Sequence, residues 1–315
     1  MTRELYMRLF IGLLCGLLLA TCGDIEQGQS GVEQISLVNT GRPLVVASNY
    51  PLFYFARQIA GDSADAPQIV FPEIPDDPAF WIPSSDQILL LQSADLILLN
   101  GAGYESWLDW VTLNRKYLFD TSAGFANNLI ELDESLTHQH GPSGEHAHQG
   151  VAFTTWLDPS LAKEQADAVA NALQRLAPNQ TETFRNNLSA LQARLDKIDS
   201  ELADAFAVLG EQPILFSHPV YQYLQRRYGL NGVSLHWEPD VEPGTGAWIE
   251  FQKLLRQYPA TIMLWEAEPL PVTAARLSQQ GVRSVVFQTV SNRSGQSDYF
   301  EILSDNVEQL SKALD

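Results

Sequence analysis

Residues 137–150 read THQHGPSGEHAHQG and carry four of the six histidines in the chain, His138, His140, His146 and His148. Neutral imidazole is a good ligand for divalent transition metals, and two His-x-His pairs this close together can chelate one. Gly141, Pro142 and Gly144 lie between the pairs and favour a turn. Three uses of the segment stay open: a partial ligand set, a loop that gathers metal, or a solvated loop that binds none. A second candidate set is dispersed. His218 ends the apolar run PILFSH, His236 lies near the end of GVSLHW, and Glu266 near the end of TIMLWEAEP. Residues that follow buried parallel strands line ligand crevices in α/β proteins, so His218, His236 and Glu266 are candidate ligands. Each also has a plain reading, a hydrogen-bonded polar group at a strand end. Glu238 and Glu268 stand at the same strand ends and are candidate carboxylates too, but each precedes a proline and reads equally as a turn former. The only cysteines are Cys15 and Cys22, near the N-terminus, so any metal held by the rest of the chain must use nitrogen and oxygen ligands.

Other chemistry finds little support. NGAG at residues 100–103 follows an apolar run but lacks the lysine and the further glycines of a phosphate-binding loop. There is no Gly-x-Ser-x-Gly elbow, and nothing supplies a nucleophile for His218 to activate. Phe80, Trp81, Trp107 and Trp110 fit core and cleft wall better than a sugar platform. With 38 acidic against 19 basic residues the formal charge is −19, which repels phosphate backbones and argues against nucleic acid as a partner.

The elements that would position these residues follow from patterning. Arg3 and Arg8 precede the apolar run LFIGLLCGLLLA, too short at about 1.5 Å per residue to cross a bilayer and right for a signal-peptide core. It ends in Leu19-Ala20-Thr21-Cys22, which resembles a bacterial lipobox with Thr21 as a departure; Cys22 would then be lipidated. An ordinary secretory signal or an uncleaved anchor are the alternatives. Residues 23–42 are polar and rich in Gly, Gln and Ser, as in a flexible tether. Then four strand-like runs (43–48, 68–71, 95–101, 116–122) alternate with helical patterns, and four more follow at 213–218, 232–237, 261–269 and 284–289. Between the two sets, Phe184, Leu188, Leu191, Leu195, Ile198, Leu202 and Phe206 define one helical stripe. The expected fold is α/β: two pseudo-symmetric lobes, each with a roughly four-stranded, mainly parallel sheet flanked by helices, joined by one long rigid helix. The lobes span 43–155, which includes the His-rich loop, and 211–315, with a helical connector at 156–210. That connector opens at WLDPS, where Asp158 can cap and Pro159 can take the first helical position.

Five stretches carry a family resemblance: SNYPLFYFARQIAGD (48–62), DDPAFWIPSSDQILLLQSADLILLNGAGYESWL (76–108), WLDPSLAKEQADAVANAL (156–173), LFSHPVYQYLQRRYGL (215–230) and the C-terminal VVFQTVSN and DYFEILSDNVEQL. In order and spacing they resemble the zinc/manganese-type solute-binding proteins of bacterial ABC transporters. The resemblance implies a non-catalytic extracytoplasmic lipoprotein, periplasmic or at the cell surface and monomeric. It would bind Zn²⁺, or Mn²⁺ as the alternative, in the cleft between lobes and deliver it to a membrane permease. It also implies three histidines and one acidic ligand. Only His218 stands at such a position; the other three hold Ala79, Thr154 and Gln288. Those departures admit two outcomes: His138, His140, His146, His148, His236 and Glu266 complete the site, or the chain is an adhesion or accessory lipoprotein with a degenerate cleft.

Overall fold

The computed structural model describes residues 41–315 save Asp76, 133–137, 140–144, 147–149, Ser294 and Asp315, with backbone alone at 138, 139, 145 and 146. The expected signal peptide, Cys22 and most of the tether lie outside the described residues, as do His140 and His148.

Short apolar runs without alternation become parallel strands. In the first lobe these are β1 (Leu44–Ala47), β2 (Gln68–Val70), β3 (Leu96–Leu99) and β4 (Leu118–Asp120). All pair in parallel, in the order β2-β1-β3-β4, with the two central ones, β1 and β3, wholly buried and the outer two only partly so. Helix α1 (Tyr50–Ala60) enters through Asn49, whose side chain accepts from the Leu52 amide, and ends at Gly61, at φ 69°. Helix α2 (Ser85–Ser93) opens with a reciprocal capping box between Ser84 and Gln87. The His-rich segment contains a two-stranded antiparallel pair, β5 (His138–Gln139) and β6 (Glu145–His146), in a register that sets His138 opposite His146.

Helix α3 (Pro159–Leu176) starts as its sequence dictates, with Asp158 accepting from the Ser160 amide and proline in the first turn. Helix α4 (Thr181–Ala207) follows; at about 1.5 Å per residue its 27 residues span about 40 Å. The second lobe repeats the first. Strands β7 (Pro213–Phe216), β8 (Asn231–Ser234), β9 (Ile262–Trp265) and β10 (Arg283–Val286) form a parallel sheet in the order β10-β9-β7-β8, the same topology read from the other edge. Helices α5 (Gln222–Tyr228), α6 (Thr245–Gln257), α7 (Pro271–Gln279) and α8 (Tyr299–Leu314) complete it.

The stripe on α4 is buried as its spacing predicts, with Phe184, Leu191, Leu195, Ile198, Leu202 and Phe206 all inside and Leu188 half-buried. It joins Val45, Leu52 and Leu98 of the first lobe and Ile214, Leu264 and Val285 of the second into one apolar cluster. The strap after β10 ties the lobes again. Trp156 Nε1 donates to the Thr289 carbonyl (2.6 Å), the Tyr50 amide to Ser291 (3.1 Å) and Asn292 Nδ2 to Ile74 (2.7 Å). On the other side, the Tyr223 hydroxyl on α5 donates to the Ala152 carbonyl at 2.8 Å.

Leu195 is wholly buried at the middle of the α4 stripe. Leu195→Ala is expected to cost about 2–5 kcal/mol in urea unfolding, with both lobes melting in the same transition.

Candidate functional site

In the second sheet the strand order reverses between β7 and β9, where a crevice opens beyond the C-terminal strand ends. His218 comes two residues after β7 and Glu266 directly after β9. The Trp237 amide donates to the Ser217 carbonyl at 2.8 Å, carrying the ladder past β8 and holding His236 and Glu238 at the same end. Sequence pattern and topology thus agree on His218, His236 and Glu266, and the structure brings them together.

His218 is buried, with only 6% of its surface exposed. Its Nδ1 lies 3.3 Å from Glu266 Oε1 and its Nε2 3.7 Å from Glu238 Oε1. The His236 ring stands edge-on to it, 6.1 Å away between centroids. Burial pushes the His218 pKa down. The Glu266 hydrogen bond and charge, with the charges of Glu238 and Asp77, outweigh burial and hold it above its ordinary value. Asp77 belongs to the first lobe, so carboxylates from both lobes act on one imidazole.

The two glutamates face different ring nitrogens and do not converge on one point. Among the described residues no three His, Cys, Asp or Glu side chains are already gathered as a metal cage. The arrangement has a different logic. A histidine that donates from Nδ1 to a carboxylate is fixed in the tautomer whose Nε2 lone pair faces outward. Glu266 is placed to orient the ring, and Nε2, which lies toward Glu238, is the atom that could take a cation, with Glu238 and His236 as the neighbouring groups that could join it. Glu238 shares the strand-end candidacy of His236, and Pro239 gives it the second reading of a turn former. The signal that marks it is its spacing from His236: two residues apart in extended chain, both side chains project to the same side. The weight of Asp77 on His218 had no local signal, because it acts across the cleft.

Pseudo-symmetry shows what the first lobe has at the same place. Its order reverses between β1 and β3, and the residues at the equivalent offsets are Asn49 and Asn100. Their side chains meet at 3.4 Å, Asn49 Nδ2 donating to Asn100 Oδ1, where the second lobe has His218 and Glu266. Thr155 and Gln165 donate to the same Asn100 oxygen at 3.2 and 3.0 Å. The first lobe fills its crevice with amides that satisfy one another, so the ionisable groups concentrate in the second.

Residues 45–313 match the model of the family described as zinc-uptake complex component A, periplasmic, ZnuA. The chain belongs to this family. It is 23% identical to the zinc-binding lipoprotein AdcA of Streptococcus pneumoniae over 98% of this chain, but spans only about 60% of that relative's length. It is also 23% identical to the high-affinity zinc uptake system protein ZnuA of Bacillus subtilis, with 97% of both chains covered. Its fold matches the crystal structure of the metal-dependent lipoprotein YcdH from Bacillus subtilis, with TM-score 0.72 at 20% identity, covering 86% of this chain and 99% of that one.

The positions where the ZnuA family resemblance leads one to expect further ligands have other work here. Ala79 is buried, and its carbonyl accepts from Ser106 Oγ at 3.3 Å. Thr154 donates to the Val220 carbonyl at 2.5 Å and so fastens the first lobe to the turn that follows His218. The backbone of Gln288 is bracketed by the Asn306 side chain, which accepts its amide and donates to its carbonyl, each at 2.9 Å.

The NGAG turn is occupied from within. Gly101, Ala102 and Gly103 all have positive φ, and a Cβ at Gly101 would strike Asp120 at 2.0 Å. The turn's amides point at Glu105, which accepts from Asn100 N (2.6 Å), Gly101 N (3.1 Å) and Ser48 Oγ (2.6 Å). Burial still pushes its carboxyl up to about 7, against these three donors. A folded pKa raised from 4.5 means stability present at acid pH and lost as pH rises through about 7. Wild type is therefore expected to lose up to about 3 kcal/mol more than Glu105→Gln between pH 5 and pH 8 in paired urea melts.

Proposed function

We propose that this chain captures a divalent transition metal in the cleft beside His218 and delivers it to an ABC permease, without catalysis. Zinc is the first choice of cargo and manganese the alternative. The observation that carries the reading is the buried His218, oriented by Glu266 through Nδ1 and facing Glu238 with Nε2, with the His236 ring edge-on beside it. An imidazole–carboxylate set suits borderline cations such as zinc, and the second carboxylate supplies the orienting partner that metal-binding histidines almost always have. Membership in the ZnuA family, and relatives named as zinc-binding lipoproteins, support cargo and partner alike. They also support an extracytoplasmic protein; a tether through Cys22 and a monomeric state complete the proposed reading.

The remaining ligands would come from side chains that must close on the ion. Glu238 and Glu266 keep 31% and 22% of their side-chain surface exposed. With Asp77 also acting on His218, the negative charge at the cleft exceeds what one protonated histidine neutralises, and a divalent cation answers that imbalance. In calorimetric titrations of metal-free protein at pH 7.5, His218→Ala should weaken zinc binding by at least about 100-fold and Glu266→Gln by about 10–100-fold. Unchanged affinity in both variants would favour the accessory reading with a degenerate cleft.

The sign of the pH dependence follows from the raised pKa of His218, since metal must displace its proton. Zinc affinity is expected to start falling, as pH is lowered, at a higher pH than an ordinary histidine ligand would give. The His218→Ala variant should lose that slope.

The His138–His146 register supports a gathering role for the loop, separate from the cleft. Deleting residues 137–150 should lower the number of weakly held zinc ions and leave the tightest site intact. A loss of the tightest site would make the loop part of the cleft.

A further inference from the structure

The strap that follows β10 leaves a cavity of about 520 Å³ against α1, on surface the metal cleft does not use, lined among others by Tyr50, Phe53, Arg57, Asp62, Arg293 and Asp298. Arg57 and Arg293 are exposed, and neither guanidinium has a hydrogen bond or ion pair among the described residues. Arg293 lies over the rings of Phe53 at 5.2 Å and Tyr50 at 6.0 Å, a stacked position that restrains its fork and leaves the N–H edge for a ligand. Tyr50 is 4% exposed, and its hydroxyl makes no hydrogen bond among the described residues. Burial, with the charges of Asp298 and Glu301, holds that hydroxyl above its ordinary pKa against the charges of Arg293 and Arg57, so at neutral pH it is a protonated donor.

The acidic residues of the same cavity do not satisfy these groups. Asp298 Oδ1 accepts from the amides of Phe300 (2.8 Å) and Glu301 (2.9 Å), capping α8. Its Oδ2 accepts from Tyr54 (3.1 Å) and faces Arg194 at 3.7 Å. Glu301 accepts from the Asp298 amide at 2.7 Å. Only Asp62, exposed at the rim, is uncommitted. A chain with twice as many acidic as basic residues, 38 against 19, would be expected to pair its arginines; here two line one cavity, and neither makes an ion pair with Asp62 or Asp298 of the same lining.

We propose that this cavity binds a phosphate-type oxyanion, held by the guanidinium groups of Arg57 and Arg293 and by the hydroxyl of Tyr50. Paired guanidinium forks and a hydroxyl are the donors that tetrahedral oxyanions select. Arg57 lies on a first-lobe helix and Arg293 on the second-lobe strap, so the ligand bridges the lobes at a point where they are already joined. Free phosphate and the headgroup of an anionic phospholipid present the same chemistry.

Inorganic phosphate, titrated into metal-free protein against a chloride control of equal ionic strength, distinguishes the outcomes. One-to-one saturation below about 1 mM is expected, weakened at least about tenfold by Arg57→Ala and by Arg293→Ala and less by Tyr50→Phe. Zinc affinity should stay unchanged in all three, which separates this site from the cleft. Vesicles of phosphatidylglycerol and of phosphatidylcholine then identify the source. Retention on the former alone, lost in the arginine variants, assigns a lipid headgroup; no retention with phosphate bound assigns the free ion. Absence of saturation up to about 10 mM together with no vesicle retention overturns the proposal, as does full binding in the double arginine variant.

Discussion

One apolar stripe on α4 governs the geometry of everything else. Each sheet needs its buried face covered, and α4 reaches both, so a single cluster runs from Val45 through Leu195 to Leu264. The strap at residues 289–292 and the Tyr223 bond to Ala152 close the lobes together at other points. Lobes sharing a core in this way cannot swing far apart without exposing it. The cleft is therefore a fixed feature, and the capture proposed above would proceed by movements of side chains such as Glu238 on an established frame.

Within that frame the two halves have diverged in chemistry while keeping topology. Both sheets place a residue pair at the switch point. In one the pair is Asn49 and Asn100, locked into a neutral network with Thr155 and Gln165. In the other it is His218 and Glu266, ionisable and coupled to Glu238. Repeating the fold supplied two crevices, and side-chain chemistry left one of them equipped for a cation. The NGAG turn tells the same story on a smaller scale, since its amides hold the chain's own Glu105 and not an external anion.

Much of the fold was legible because it rests on local rules. Eight apolar runs became eight parallel strands, Asp158 and Pro159 opened α3, Gly61 closed α1, and the stripe from Phe184 to Phe206 became the buried face of α4. The helix ends at Ala207, one residue past Phe206, the last apolar position of the stripe, and the chain then turns toward β7. The site was legible only in part. His218, His236 and Glu266 could be placed at strand ends, but whether Glu266 meets Nδ1 or Nε2 is a matter of tertiary geometry. Glu238 lay at the same strand end but read equally as a turn former, and Asp77 acts from the opposite lobe. His138 and His146 are set opposite one another by backbone pairing, which spacing alone did not indicate.

The central claim is that His218 Nε2 is the metal-facing atom of the cleft. A crystal structure of the zinc complex with anomalous data at the zinc edge tests it directly. The account predicts a peak about 2 Å from His218 Nε2, with Glu266 still hydrogen-bonded to Nδ1 and Glu238 or His236 drawn onto the ion. Zinc found only along residues 138–148, with the cleft at His218 empty, would contradict it.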